Sequence, residues 1–562
     1  MHENAIPAGV NRKIVGFYKE IDPKTTNRPF IQPLKEVYLK SNFAYDFMAP
    51  PYDIRMINLL LAMAVFILIL ACFNFMNLAT AQSEKRAKEI ALRKSIGAKR
   101  RQLMQQFLGE AVLLSLLALA FAIVFSEMLL PPFNRFLMGR DLSLFHPENT
   151  ITYLILIGGS VLTGIVSGIY PAVFLSSFQP VKIFKGMLIS PYRGILTRKV
   201  LVVVQFAISI VFIIATLTLY NQLEFMLNKD LGYDKQNLIV VPMSPAVQKK
   251  FSALKRKLRQ HPHITHITAM LNMPTWVQPS LTLSDWEGNR SGKRLTIFHG
   301  SVDRDFIETL QMKMVQGSSF AHAAASDLIV NEEAVRQMGL KEPIGKRIKT
   351  GKHDGPIIGV VKNFHYNRLS HKIEPFLLKL APEETLYIII RVKTNKIADV
   401  IPFLQKEWNA AEPEYPFEHF FFDVLLRNMY LVEHKILELF SYATALAIFI
   451  SCLGLFGSAA YMTEQRTKEI GIRKSLGASV SDIIQMLSLE FLKLVLIANL
   501  IAWPVVYFAL DRWLDKFEYH IEINFSVFIF AALLALIIAA LAVGVKAYKP
   551  ARDNPVEALR YE

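Results

Sequence analysis

The residues of this chain best placed to do chemistry come as two matched sets. Residues 84–98 read EKRAKEIALRKSIGA and residues 464–478 read EQRTKEIGIRKSLGA, identical at 10 of 15 positions with a constant offset of 380. Glu89 and Arg93 lie four apart, as do Glu469 and Arg473. That spacing puts each pair on one face of a helix. Gly97 and Gly477 stand where a helix C′ residue takes left-handed geometry. Each set therefore reads as a short charged helix ended by a turn. Such a helix can lie in a membrane interface with its Lys and Arg reaching to phosphates. That use explains the positive charges but not the return of the paired Glu and the Gly in both copies. A rigid lever gripped by a protein partner explains all three.

Other chemistry is thin. Gly288 and Gly292-Lys293 are spaced one residue too short for a phosphate-binding P-loop. Gly339 and Gly345-Lys346 are one too long, and Arg347 stands where Ser or Thr would hold magnesium. The chain is therefore expected to hydrolyse no ATP itself. No G-x-S-x-G or H-E-x-x-H sequence occurs. His261, His263 and His266 are the nearest approach to a metal cluster. Beside a proline and an apolar strand they read as surface residues, so no catalytic residue, metal or cofactor is expected. Cys72 and Cys452 occupy matching positions in apolar runs, which reads as buried inert thiols. Glu110 and Glu490 also match at the offset of 380 and lie near one end of an apolar run. An intramembrane carboxylate is a functional candidate. Here the nearby basic residues favour a structural partner for each.

The elements that must carry these residues are apolar helices. Of 562 residues, 52% are hydrophobic and 20% charged, an unusual balance for a soluble protein. Seven runs reach the ~20 residues a bilayer needs: 57–79, 107–130, 151–175, 200–220, 437–460, 487–510 and 525–548. The net charge of +16 has a place in the loops between them. Segment 83–101 holds eight Lys or Arg, and 463–486 and 546–562 hold four each, with five more in 176–199. The alternate loops 131–150 and 511–524 hold two each. Basic loops stay in the cytoplasm, so the C-terminus is expected inside and the lean loops outside. No nucleic-acid partner is needed to account for the charge.

Between the fourth and fifth runs lies an insert, 221–436, which then falls outside the membrane. Strand-like runs at 237–241, 356–361, 377–380 and 386–392, and helix-like runs at 246–259, 332–338 and 396–408, make it an α+β domain. The expected fold is thus a polytopic α-helical membrane protein of about seven transmembrane helices with an α+β extracytoplasmic domain. Its parts are 1–56, a remnant of a first outer domain; 57–175, a three-helix module; 176–199, a cytoplasmic linker; 200–220, a single helix; 221–436, the outer domain; 437–548, a second three-helix module; and 549–562, a cytoplasmic tail. Seven crossings with the C-terminus inside place residues 1–56 outside, although they carry no apolar signal segment. A preceding helix and the rest of a first outer domain are therefore expected to belong to a longer protein. The likeness between modules is local: residues 58–82 match 438–462 at three of 25 positions.

The stretches RAKEIALRKSIGA and RTKEIGIRKSLGA, the tail PARDNPVEALR, and the outer-domain stretches LIVNEEAVRQMGLKEPIGKRI and IIGVVKNFH resemble the permease subunits of MacB/FtsX-type ABC transporters. The resemblance implies FtsX-like membrane modules around a MacB-like periplasmic core domain in a bacterial inner membrane. It implies a cytoplasmic ABC ATPase as a separate partner, membrane lipid as surroundings and a substrate or partner in the periplasm. It also implies that Glu89, Arg93, Lys94 and Gly97 on one side, and Glu469, Arg473, Lys474 and Gly477 on the other, couple the chain to that ATPase. ATP-driven movement would then pass outward for efflux or other periplasmic work. A membrane-anchored sensor or scaffold with a ligand-binding outer domain is the alternative, and a membrane enzyme a third; the first lacks a sizeable inside effector domain and the second a visible catalytic constellation.

Overall fold

The computed structural model describes residues 7–21, 30–31, 54–83, 86–136, 143–144, 150–176, 191–273, 277, 279–289, 292–350 and 353–552. Most of the 1–56 segment, the greater part of the 176–199 linker and most of the tail lie outside them. The chain divides into two compact units, one containing 219–436 with 511–522, the other containing 53–218, 437–510 and 523–562.

The helical unit follows the apolar runs. Helix α1 (Pro7–Ile21) belongs to the other unit; the long helices here are α2 (Ile54–Ser83), α4 (Arg100–Phe136), α5 (Thr150–Ser176), α6 (Pro191–Asn228), α12 (Leu431–Gln465), α14 (Val480–Leu514) and α15 (Phe525–Arg552). Among the described residues these seven are long and apolar enough to cross a membrane. The short helices α3 (Ala87–Ser95) and α13 (Thr467–Ser475) precede α4 and α14. The helices outrun their apolar runs: α6 spans 38 residues where the run 200–220 has 21. Helical hydrogen bonding continues into polar residues that hydropathy does not count.

Small and hydroxyl side chains set the packing. In α15 the buried residues Ala531, Ala535, Ala539, Val543, Ala547 and Ala551 recur every four positions. They form one narrow face that lets α6, α12 and α14 approach around a common core. The seam of α6 and α12 is polar. Ser209 and Ser451 share a hydrogen bond of 2.8 Å and Thr216 and Thr444 one of 2.7 Å, while Gln205 donates to the Ile450 carbonyl at 3.0 Å. In hydrocarbon such bonds hold helices together where the hydrophobic effect cannot. Leu70 and Met63 of α2 join this seam at Phe212, Ala443 and Ala447.

The second unit is a mixed sheet with helices against it. Its twelve strands among the described residues are β1 (Leu238–Pro242), β2 (Ile264–Met270), β3 (Pro279–Leu283), β4 (Asp285–Trp286), β5 (Leu295–Val302), β6 (Met314–Gly317), β7 (Leu328–Asn331), β8 (Arg347–Thr350), β9 (His353–Val361), β10 (Phe376–Leu380), β11 (Tyr387–Val392) and β12 (Phe420–Phe421). The order is β12-β1-β11-β2-β5-β10-β7-β9-β8-β4, with β3 on β5 and β6 on β9. Only β5–β10 and β7–β9 pair in parallel among them. Helices α7 (Pro245–Leu258) and α10 (Ile397–Ala411) bury Phe251, Leu254, Leu404 and Trp408 against β1, β2 and β11. Helix α9 (Glu332–Met338) closes a second core around Trp286, Ile348 and Leu377. Two short helices, α8 (Phe306–Leu310) and α11 (Phe422–Met429), complete the unit.

Two buried polar side chains anchor the unit. Asn331 caps α9 by accepting from Ala334 N at 3.0 Å, and also accepts from Phe376 N at 2.8 Å. Buried Arg391 donates to Asp234 Oδ2 at 3.0 Å and to the carbonyls of Thr309, Asp234 and Gln236. A guanidinium out of water needs such a complete set of acceptors.

Candidate functional site

Helices α3 and α13 are too short to be stable alone and are held by what surrounds them. Each has the same inner scaffold. Ile90 and Ile470 are buried, as are Leu103 and Ile483 one helix later. The i,i+4 pairs form: Arg93 meets Glu89 at 2.6 Å and Arg473 meets Glu469 at 2.7 Å. Both pairs are about half exposed, so they orient side chains more than they stabilise the fold.

Both helices end in one motif. Ala98 N donates to the Arg93 carbonyl and Gly97 N to the Lys94 carbonyl, each at 3.0 Å. Ala478 and Gly477 repeat this on Arg473 and Lys474 at 3.0 and 3.1 Å. This is a Schellman stop. It demands φ of +103° at Gly97 and +93° at Gly477, with nothing near either Cα to block a side chain. Conformation alone selects glycine here.

Glu110 and Glu490 prove to be paired. Arg86 reaches Glu110 at 2.8 Å and Arg466 reaches Glu490 at 2.7 Å. Each Arg stands at the N-cap of its short helix and each Glu on the following long helix. The ion pair thus clamps α3 to α4 and α13 to α14. The two arginines were open to discovery, since they too recur at the offset of 380. Lys94 adds a third anchor by donating to the Ser176 carbonyl at the end of α5, at 2.6 Å. A cation at a helix C-terminus is favoured by the peptide dipoles. Partial burial, with Arg100 nearby, lowers the Lys94 pKa. Lys474 is half-buried at the equivalent place.

The outward faces carry a feature that charge counting misses. Leu92 and Ile96 are 55% and 78% exposed, and Ile472 and Leu476 are 51% and 81% exposed. Each pair is four residues apart, one turn of helix, and flanks the Arg of its ion pair. Each short helix thus exposes an apolar pair beside its charged residues.

In the sheet-rich unit a second constellation gathers helix ends. Arg368 donates to both Glu433 oxygens, at 2.9 and 3.0 Å, and to the Met429 carbonyl at 2.6 Å. Glu433 lies in the first turn of α12. Tyr519 N donates to the Leu369 carbonyl at 3.2 Å, and Gln222 of α6 bridges Tyr519 and Ile521. His365 packs edge-on to the Tyr519 ring at 4.8 Å. Burial, then the Lys229 charge, pushes its pKa down to about 4. It is therefore neutral at pH 7 and serves packing. The rings of His261 and His263 lie 5.5 Å apart and His261 packs on Phe403, while His266 is in β2 opposite Arg391. Among the described residues no group of three His, Cys, Asp or Glu is placed to hold a metal. Cys72 lies in α2 and Cys452 in α12, the first buried and the second half-buried.

The chain is similar to known proteins in both units. The "FtsX-like permease C-terminal" model matches residues 61–180 and 442–555, and the "MacB-like periplasmic core domain" model matches 200–394. Among curated relatives, a macrolide export ATP-binding/permease protein of Chromobacterium violaceum is 30% identical over 280 residues, covering 46% of this chain and 43% of its own. One of Aeromonas hydrophila is 25% identical over 283 residues, with the same 46% and 43%. One of Bartonella quintana is 26% identical over 206 residues, 34% of this chain and 31% of its own. The matches thus span less than half the length of these relatives. With an FtsX-like model on both repeat halves and a MacB-like core in the insert between them, the chain belongs to the MacB/FtsX-type ABC transporter permeases, multi-pass membrane proteins.

Proposed function

We propose that this chain transmits the work of a separate cytoplasmic ABC ATPase to the sheet-rich domain on the other side of the membrane. Helices α3 and α13 are the handles. The observation that carries this reading is the duplicated contact patch: Leu92 and Ile96, or Ile472 and Leu476, exposed beside the Glu89–Arg93 or Glu469–Arg473 pair. A helix that only lay on lipid needs no such pairing, no Schellman stop and no arginine clamp to the next helix. A handle needs all three, because force is lost through any soft joint. Lys94 and Lys474 fix the helix ends, and Gly97 and Gly477 set the exit angle. Helices α6 and α12 each supply residues to both units. They are the natural carriers of movement, with Arg368 and Glu433 fixing the start of α12.

The basic loops support a cytoplasmic position for these handles and for the C-terminus, in a bacterial inner membrane. The sheet-rich domain then works in the periplasm, on a substrate or a protein partner. The relatives' names make a macrolide the first substrate to assay. The test is co-purification. Ile472→Asp with Leu476→Asp is expected to lose a partner ATPase that the unaltered chain retains, with insertion unchanged. Retention of the ATPase by that variant would remove the handle assignment. Cysteine labelling at Ala98 and Ala478 should occur only from the cytoplasmic side; labelling from outside would reverse the topology.

A further inference from the structure

Residues near the ends of α6, α12 and α14, with Arg466 at the start of α13, line a half-open cavity of about 90 Å³. That is several times the roughly 10–15 Å³ needed for one water. Its wall holds three cations, Arg198, Lys199 and Arg466, against one carboxylate, Glu490. Arg466 is committed to Glu490 at 2.7 Å. Arg198 is not so committed. It is only 9% exposed, its guanidinium lies 3.8 Å from the centre of the Tyr461 ring, and its Nε finds no hydrogen-bond acceptor among the described residues. Ser458, 8% exposed and on the same wall, has an Oγ equally without partner. Lys199 makes no ion pair among the described residues.

Two buried orphan polar atoms on residues that line one cavity are costly unless a small rotation of either side chain lets something in the cavity satisfy them. What fits is set by the wall. A guanidinium Nε–H, a hydroxyl and an ammonium are all donors, and Arg is the cation that matches a tetrahedral oxyanion best. The level in the membrane narrows the choice further. Arg198 lies two residues inside the apolar span Leu196–Asn228, and Gln465, also on the wall, ends the span Leu431–Gln465. Span ends are where phospholipid phosphates lie, and basic pockets between membrane helices bind anionic head groups.

We propose that this cavity binds the phosphate group of a membrane phospholipid, with Arg198 Nε and Ser458 Oγ as donors and Lys199 as the second positive charge. The site belongs to the second module alone. At the offset of 380, Leu78 stands where Ser458 is and Ala81 where Tyr461 is, so the first module has neither the hydroxyl nor the ring. A bound head group would wedge the α6, α12 and α14 ends at a fixed spacing beside the Arg466–Glu490 clamp.

The test uses the intact chain purified in detergent, titrated with phosphatidylglycerol and read by native mass spectrometry. The unaltered chain should retain phosphatidylglycerol and not diacylglycerol of the same acyl chains. Arg198→Gln should lower retention roughly tenfold or more, as expected for loss of a charged donor. Ser458→Ala and Lys199→Gln should lower it less, and they carry the test if Arg198→Gln is not recovered folded. Equal retention by the unaltered chain and these variants overturns the site, as does equal retention of diacylglycerol. Displacement of the lipid by millimolar inorganic phosphate would move the site to a soluble phosphate source and overturn the lipid assignment.

Discussion

The two membrane modules share their joints and differ in their bodies. The Arg–Glu clamp, the i,i+4 pair, the Schellman glycine and the exposed apolar pair all recur at the offset of 380. The surrounding helices do not. In the first module 6% of the most apolar window of α4 is buried, against 33% for α14 in the second. Around α14 lie α6, α12 and α15 in one core of packed residues. Around α4 the main neighbour is α5, held through Gly164 and Gly168. The likeness is confined to the joints, and the apolar residues of the helix bodies differ between the modules. Any apolar side chain satisfies lipid, whereas a handle must keep one geometry.

If the joints are equivalent, charge reversal should have the same effect on both. Arg93→Glu and Arg473→Glu are each expected to reduce stimulation of a partner ATPase tenfold or more, since each leaves a like-charged pair on the docking face. Steady-state ATPase assays on reconstituted complexes check this. A loss at Arg473 with full stimulation at Arg93 would break the symmetry and leave one handle.

The helix bodies should respond differently. A Cβ at Gly164 would sit 2.7 Å from Val112 Cα, whereas at the equivalent Gly544 the nearest atom, Ile484 Cγ2, is 4.0 Å away. Gly164→Ala should therefore force α4 and α5 apart and cost about 1–3 kcal/mol. Gly544→Ala should be neutral or gain up to about 1 kcal/mol from helix propensity. Thermal unfolding in detergent separates them; equal shifts would mean that α5 does not pack on α4 through Gly164.

This contrast marks what the sequence allowed a reader to see. The seven spans, α7, α9, α10 and strands β1, β9, β10 and β11 are visible because apolar periodicity is local. Gly97 and Gly477 are visible because repetition and residue type agree. The sheet order is not, since pairing β10 between β5 and β7 joins segments far apart in the chain. The partners of Glu110 and Glu490 lay 24 residues away, within reach of the same repeat comparison that found the acids. Arg198 and Ser458 were out of reach, because they converge only when three helices pack. Leu92 and Leu476 are hidden for a different reason: within a charged segment an apolar residue reads as the buried face, and only the fold shows that it points outward.

Substitution of the Schellman glycines should cost both modules alike. A side chain at φ near +100° is strained, so Gly97→Ala and Gly477→Ala should each destabilise by about 1–2 kcal/mol. Unequal losses would mean that one turn is free to rearrange.

The smallest difference is expected at the clamps, and it is the most discriminating. Arg86 and Glu110 are 48% and 42% exposed, Arg466 and Glu490 31% and 30%. Water screens the first pair more, so Glu110→Gln should cost under about 1 kcal/mol. Glu490→Gln should cost about 1–2 kcal/mol, because a more enclosed guanidinium loses a charged acceptor. Glu490 also faces the cavity that holds Arg198. Its neutralisation raises the positive charge there, so Glu490→Gln should tighten phosphatidylglycerol binding even as it loosens α13. A single variant that lowers the melting temperature without the lipid and regains part of it with the lipid would tie the clamp to the pocket; no regain would separate them, since stabilisation by a ligand follows its affinity for the folded state alone.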